Sequence, residues 1–303
     1  MISQWLRKTR EWVVYLHPCR REPVRVTFDT NALDRVVRPE RYPKDLRQHA
    51  FKKIHKALKD GRIKGFFSET VLTLEGIQKI DRADVFDSTK ILTDIKEEKA
   101  ANGESGRVKV VLTALQPARR QLHPEVVKRI RSAIQLGLRG MKIPRNGMID
   151  IEDPSGKFFV QQSETEMAQR QQKTFEAARA IEKRNVGMTK VRQLGAKFGS
   201  RDGVSEPWYR SLVRAKDVHE ENQVKRAISE WADGDSIAAH IGYGNEFFCT
   251  EDKGRTGGVS SIFDEKNRVW LAETYGVRFV TLPELAEQLT CSWKSLLSSV
   301  FSR

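Results

Sequence analysis

The sequence predicts an α/β fold built on a parallel sheet, and three patterns support this. Short apolar runs such as VRVTF (24–28) and RIKGFF (62–67) have the length and composition of buried strands. The segment LRQHAFKKIHKALKDG (46–61) repeats apolar residues at helical spacing and stops at Gly61. Since strands that alternate with helices pair in parallel and are covered on both faces, we expect a three-layer domain.

Residues 24–80 form the first part of this predicted domain. After the second strand, Ser68 can cap a helix with the sequence ETVLTLEGIQKI (69–80). Ahead of it, residues 1–16 have a weak helical pattern with basic residues in between. That pattern fits either a helix docked on the domain or an arm that contacts nucleic acid, and we assign residues 1–23 as an N-terminal basic helical arm.

The alternation resumes near the end of the chain. DGDSIAAHIGYG (233–244) predicts a short helix with acidic residues at its start, and NEFFCTED (245–252) predicts a strand that ends in acid. A helix, a strand and a proline-opened helix are then predicted in NRVWLAETYG (267–276), VRFVTL (277–282) and PELAEQL (283–289). Residues 228–303 therefore complete the domain, together with a C-terminal tail.

The stretch 81–227 has a different texture. Helical patterns cover 83–100, 124–138 and 163–184, and a segment punctuated by Gly and Pro (140–160) predicts β structure. A run of this length without strand and helix alternation predicts a large, mostly helical insertion.

Positive charge is concentrated in this insertion. The chain has 54 Lys and Arg against 40 Asp and Glu, a net charge of +14. Such an excess favours a polyanion such as nucleic acid, although it also suits an acidic membrane surface or protein. Basic residues at helical spacing can also form a plain solvated face. Because residues 105–145 contain a single acid, Glu125, we favour nucleic-acid contact there. The candidate contacts are Arg119, Arg120, Lys128, Arg129, Arg131, Lys190 and Arg192.

Several classes of protein and site are disfavoured. No apolar run approaches the roughly 18 residues that span a bilayer, and no secretory leader is evident, so we expect a cytoplasmic protein that does not enter the membrane. Cys19, Cys249 and Cys291 lie far apart, which argues against a zinc site or a disulfide framework. Phosphate-binding glycine motifs of dinucleotide and nucleoside-triphosphate sites are missing.

Acidic residues lie where a parallel sheet would bring them together. Asp29 ends the first strand and Asp252 ends the strand 245–252, so both should lie at the carboxyl edge of the sheet. Asp235 opens a predicted helix, and Glu75 has apolar neighbours in the helix after the second strand. Each acid also has a simpler interpretation as a turn former, a helix cap or a solvated side chain.

Taken together, these segments resemble a known family. DTN after VRVTF, then SETVLTLEGI, DSIAAHIGYGNEFFCTED and LAETYGVRFVTLPELAEQL, follow the order and internal spacing of the PIN domain (PilT N-terminus). The resemblance covers residues 24–80 and 228–290. Its most specific part is the spacing from Asp235 to Thr250 and Asp252 across a helix of small residues.

The resemblance implies a metal-dependent endoribonuclease. Its implied catalytic acids are Asp29, Glu75, Asp235 and Asp252; its implied ligands of Mg²⁺ or Mn²⁺ are Asp29, Asp235 and Asp252; Asn31 and Thr250 assist through polar contacts. RNA is the expected partner, and an antitoxin or regulatory protein and a second copy of the chain are further candidates. The insertion is the main departure from the family pattern.

Two placements stay open. Glu69 is an alternative to Glu75, because glutamates six residues apart lie about 120° apart around a helix and only one can face the site well. Asp233 is an alternative to Asp235, or a helper of it. Two other functions also remain: an RNA-binding PIN-fold scaffold without turnover, and phosphotransfer through an aspartyl-phosphate at Asp29. The second lacks the acid that one common phosphatase motif places two residues later, where this chain has Asn31.

The chemistry of these residue types fits a divalent cation. Carboxylates crowded at one sheet edge repel one another, and a bound cation removes that conflict. Mg²⁺ and Mn²⁺ prefer hard oxygen ligands, so Asp and Glu without Cys or His suit them. Such an ion activates water and stabilises charge during attack on a phosphodiester, while the basic insertion supplies cations for the backbone phosphates.

Overall fold

The protein is represented by a computed structural model that describes residues 22–99, 106–144, 153, 155–254 and 261–289. The predicted N-terminal arm, the C-terminal tail and part of the predicted β-rich segment lie outside the described residues.

The described elements are numbered in chain order. The strands are β1 (Val24–Phe28), β2 (Ile63–Ser68), β3 (Lys90–Lys99), β4 (Gly106–Leu115), β5 (Arg139–Met141), β6 (Phe247–Cys249) and β7 (Arg278–Val280). The α-helices are α1 (Thr30–Val37), α2 (Gln48–Lys59), α3 (Thr70–Thr73), α4 (Arg82–Asp87), α5 (Pro124–Gln135), α6 (Glu164–Lys183), α7 (Met188–Arg201), α8 (Val218–Tyr243) and α9 (Glu265–Tyr275). Residues 282–289 are also helical.

A parallel five-stranded sheet lies at the centre, which confirms the α/β prediction. Its strand order is β5-β2-β1-β6-β7, and every neighbouring pair is parallel. The chain leaves β1 toward β2 and returns later to β6 on the opposite side of β1. The strand order therefore reverses between β1 and β6, and the carboxyl ends at such a reversal flank a crevice where open α/β sheets bind ligands.

Apolar side chains cover both faces of the sheet. On one face, Phe28 of β1 packs in a cluster with Leu33 of α1 and Phe51 of α2. On the other, Phe248 of β6 packs with Ile237 of α8 and other apolar residues of α6 and α9. The strands are apolar on both sides because each side faces a helical layer.

A separate apolar cluster holds α7 against α8. Val191 and Phe198 of α7 pack with Ile228 and Trp231 of α8, and Val85 of α4 joins them. This cluster fixes the first half of α8 beside the sheet, in the part of the molecule that presents Asp233.

The helix predicted over 69–80 is much shorter in the structure. Only α3 is helical there, and Glu75 lies in the turn that follows. The β-branched residues Thr70, Val71 and Thr73 and then Gly76 explain the early stop, since both residue types disfavour helix continuation. Ser68 still acts as predicted at the start, because its Oγ accepts the amide of Thr70 at 3.1 Å.

The helical prediction over 83–100 is wrong in its second part. Helix α4 ends at Asp87, and residues from Lys90 onward form β3, which pairs antiparallel with β4. The apolar residues Ile91 and Ile95 fit a helical repeat and a strand alternation equally, and the β-branched partner strand decides in favour of the strand.

Helix α8 is the largest departure from the predicted elements. It runs unbroken from Val218 to Tyr243, so Asp235 lies in its interior rather than at a helix start. Gly234 does not break it, because a Cβ there would lie 3.0 Å from the Cα of Gly187, and the missing side chain allows this close approach.

Two elements of the stretch 81–227 are shared with the sheet domain. Strand β5 pairs with β2, and α8 continues across the boundary predicted at residue 227. Helices α5 and α6 lie where the sequence predicts them, and Ser163 caps α6 in a reciprocal capping box with Glu166. None of the helices in the described part of the chain combines the length and apolar character that crossing a bilayer requires.

Candidate metal centre

Asp29 lies at the carboxyl end of β1 and has two roles that use different oxygens. Its Oδ1 accepts the backbone amide of Thr30 at 2.7 Å, so it caps α1. Its Oδ2 accepts both Asn31 Nδ2 and Thr250 Oγ1, each at 2.7 Å. The side chain is 7% exposed, and three donors fix its orientation. The capping and the functional interpretation of this residue are therefore compatible.

Three carboxylates converge beside the end of β1. One oxygen each from Asp29, Glu75 and Asp233 lies within 4.8 Å of the other two. Glu75 reaches the group from the turn after α3, where the Thr30 hydroxyl donates to its Oε2. Asp233 reaches it from α8. This acid triad is the site at which the described residues could hold a cation.

The acids of the triad destabilise one another's charged forms. Burial, with the nearby charge of Glu75, raises the pKa of Asp29 to about 7, against the lowering effect of the bonds from Thr250 and Thr30. Burial, followed by the charges of Asp29 and Glu75, raises the pKa of Asp233 well above its usual range. Two neighbouring acids with raised pKa values are what a missing counter-charge produces.

The second acid of each open pair lies elsewhere. Asp235 is fully buried and accepts Trp231 Nε1 at 2.9 Å, so its expected place among the metal ligands is wrong in this structure. Residues two apart on a helix point about 200° apart, and Asp233 is the one that faces the triad. Glu69 is 1% exposed and accepts the amide of Ile143, and burial raises its pKa to about 8. The structure places Glu75, not Glu69, in the triad.

Asp252 lies at the rim of the site instead of inside the triad. It is exposed, its Oδ1 accepts the amide of Gly254 at 2.8 Å, and its own amide donates to Thr250 Oγ1 at 3.1 Å. It lines the same cavity as the three acids, and its charge contributes to the raised pKa of Asp29. Asp252 therefore belongs to the site without joining the group of three.

No family model, curated protein or solved structure matches this chain. The chemistry of the site is therefore argued from its residues and their geometry.

Two arginines share the cavity of about 400 Å³ that contains the acids. Arg35 comes from α1 and Arg129 from α5, and the Nε atom of each is buried without a hydrogen-bond partner among the described residues. Arg35 donates to the backbone oxygen of Asn31. The sequence could have indicated Arg35, because Asn31 and Arg35 are four residues apart on one face of α1.

A third arginine is buried beside the triad. Arg82 of α4 donates to the backbone oxygen of Lys225 at 2.8 Å and to Ser229 Oγ at 3.1 Å, which ties α4 to α8. Burial lowers its pKa, and the charges of Glu75 and Asp233 oppose that effect. The sequence gave no signal for it, since the contact joins segments far apart in the chain.

Most of the predicted nucleic-acid contacts lie away from the triad. Arg119 donates to the backbone oxygens of Leu72 and Thr73, so it closes the end of α3. The other exposed or paired cations are Arg131, Arg120 with Asp81, Lys128 with Glu125 and Arg192 with Glu182. Arg129 and Lys190 line cavities that reach the acids.

The donor set fits Mg²⁺ or Mn²⁺. All three converging groups are carboxylates, Cys249 is buried, and His240 is turned to Thr27 Oγ1 at 2.9 Å. Hard oxygen ligands favour these ions over softer transition metals. The raised pKa values of Asp29 and Asp233 give the same indication, because a divalent cation would supply the counter-charge that the site lacks.

Proposed function

We propose that the protein is a divalent-metal-dependent endoribonuclease that hydrolyses phosphodiester bonds of RNA. The observation that carries this proposal is the convergence of Asp29, Glu75 and Asp233 at the point where the strand order reverses. The resemblance of residues 24–80 and 228–290 to the PIN domain supports it.

The residues of the site have separate roles in this proposal. Asp29, Glu75 and Asp233 would hold Mg²⁺ or Mn²⁺, which when bound supplies activation of a water molecule and neutralisation of phosphate charge. Asn31 and Thr250 keep the carboxylate of Asp29 in one orientation. Arg35 and Arg129 line the same cavity and offer guanidinium groups to a phosphate, which they can bind through two parallel hydrogen bonds.

The cavity continues on both sides of the acids, which supports cleavage within a strand. On one side, Asn31, Arg35 and Asp252 also line a cavity of about 680 Å³ with Arg47 and Lys253. On the other, Ser229, Asp233 and Asp252 line a larger basic cavity. A strand can therefore extend in both directions from a phosphate at the triad.

A non-catalytic RNA scaffold is the alternative, and the position of Glu75 weighs against it. A scaffold has no need to bring Glu75 to Asp29, yet Glu75 is one of the three converging acids. Without turnover, the repulsion within the triad would lower stability and provide no function.

Cleavage assays test the proposal. Labelled single-stranded and structured RNAs are incubated with the protein in Mn²⁺, Mg²⁺ or EDTA, beside an Asp29→Asn variant. We expect cleavage with either ion, none in EDTA, and a loss of roughly 100-fold or more in the variant. Asp60→Asn, an exposed change at the end of α2, should leave the rate unchanged. Cleavage that survives EDTA or Asp29→Asn would overturn the proposal.

A further inference from the structure

The cavity beyond Asp233 is a basic groove between α7 and α8, with a volume of about 730 Å³. We call it the α7–α8 groove. Its lining cations are Lys79, Lys190, Lys197, Lys225 and Arg226. The groove opens into the acid cavity, because Ser229, Asp233 and Asp252 line both.

The helices that form this groove present their side chains in register. Lys190 and Lys197 are seven residues apart on α7, which places them on one face two turns apart. On α8, Asn222, Arg226, Ser229 and Asp233 follow one another at spacings of three or four residues. Arg226 and Asp233 are therefore about 10 Å apart along the helix axis. The row leads from the basic wall directly to the triad.

Little in the described structure neutralises the positive wall. Lys79, Lys190 and Arg226 form no salt bridge with the described residues, whereas Lys225 pairs with Glu221 at 3.2 Å. The one acid in the middle of the lining, Glu230, accepts the amides of Gly187 at 3.3 Å and Ile262 at 2.7 Å. Its carboxylate is thus turned to the backbone and away from the lysines.

We infer that the α7–α8 groove binds the phosphate backbone of a single nucleic-acid strand and leads it to the acid triad. This inference rests on the proposed nuclease function. A volume of 730 Å³ corresponds to a cube of only about 9 Å, and the major groove of a duplex alone is about 12 Å wide, so a duplex cannot enter. A single strand with phosphates at the lysines fits both the width and the charge.

The lining also indicates how bases are treated. Its apolar members are Leu194 and Ala227, and it contains no aromatic side chain among the described residues. Without an aromatic platform, bases gain little from stacking, and phosphate contacts carry no sequence information. The groove should therefore bind strands of different sequence with similar affinity.

Binding in EDTA tests the groove separately from cleavage. Fluorescence anisotropy of a labelled 12-nucleotide oligouridylate is measured with wild type and with Lys197→Ala/Arg226→Ala. Losing two phosphate contacts should weaken binding by roughly 10-fold or more and reduce the slope of log affinity against log salt by about 1.4. The control Lys52→Ala/Lys59→Ala removes the same charge from exposed positions of α2, on the other face of the sheet, and should change affinity less than about 2-fold.

Three results would overturn the inference: equal weakening by both double variants, a hairpin duplex bound as tightly as the oligouridylate and with the same losses, or displacement of the strand by polyglutamate as readily as by unlabelled RNA. Cleavage by wild type with unchanged binding in the groove variant would keep the nuclease and remove the groove. Loss of strand binding in the groove variant, with no cleavage by wild type in Mn²⁺, would keep the groove and remove the nuclease.

Discussion

Individual carboxylates in this molecule differ in role because of the donors around them. Asp29 accepts three hydrogen bonds and still lies next to two other acids, whereas Asp235 is equally acidic by type and faces an indole. A residue type at a given position thus does not decide the chemistry. The neighbours supplied by distant segments do.

Glu75 and Glu69 separate at this scale. Glu75→Gln removes one carboxylate of the triad, so affinity for Mn²⁺ should fall roughly 10-fold or more in calorimetric titration at pH 7. Glu69→Gln should change affinity less than about 2-fold, because Glu69 has a pKa of about 8, keeps its proton at pH 7 and contacts Ile143. If Glu69→Gln is the variant that loses metal, the assignment of the second acid is wrong.

The sequence allowed part of the site to be predicted. Asp29, Asn31 and Thr250 follow strand ends, and strand ends can be located from apolar runs. The choice between Glu69 and Glu75 was beyond the sequence, because it depended on α3 stopping after one turn. Arg129 was expected only as part of a basic face, and its position in the acid cavity follows from the packing of α5 on α1.

At the scale of elements, helix α8 combines support and function. Its first half packs on α7, its second half covers the sheet, and Asp233 and Asp235 lie between these halves with their side chains about 200° apart. One side of the helix therefore serves the triad, and another serves the interior.

Substitutions at these two positions should separate metal binding from stability. Asp235→Ala leaves the buried Trp231 Nε1 without its acceptor, so the free energy of unfolding in urea should fall by about 1–3 kcal/mol while Mn²⁺ affinity is unchanged. Asp233→Ala should abolish most Mn²⁺ affinity and leave stability equal or higher, since it removes repulsion within the triad. The reverse pattern would restore Asp235 as the ligand.

Elements with local signals were predictable, and those set by distant partners were not. The strand β1 and the helices α2 and α6 have apolar repeats and end signals of their own. The length of α8 was missed because Gly234 reads as a break until Gly187 is seen against it. Strand β3 was missed because its partner β4 decides its conformation.

At the scale of the whole molecule, a buried acidic centre lies within a chain of net charge +14. Substrate phosphates are attracted by the surrounding cations, while the centre itself repels them until a divalent ion is bound. Metal and polyanion should therefore assist each other's binding at the site.

Stability should depend on pH in a defined direction. The folded state holds protons on Asp29, whose pKa is about 7, and on Glu69, whose pKa is about 8, and the unfolded chain releases them. The melting temperature of the metal-free protein should therefore rise as pH falls from 9 to about 6.5. Below about 6.5, His240 acts in the opposite direction, since burial lowers its pKa to about 3.

Metal should remove part of this dependence. Mn²⁺ replaces protons at the triad, so the melting temperature gained on adding Mn²⁺ should be larger at pH 8.5 than at pH 6.5. Asp29→Asn should lose most of that gain. An equal gain at both pH values would show that the ion binds elsewhere.

The order of strands in the sheet also bears on the biosynthesis of the protein. Because β6 lies beside β1, the triad forms only after residue 233 and the strand that follows it have left the ribosome and joined segments made at the very beginning. A partly synthesised chain presents Asp29 and Glu75 but lacks their third partner. For the proposed nuclease, activity therefore begins only once synthesis is nearly complete, and shortened translation products are inert.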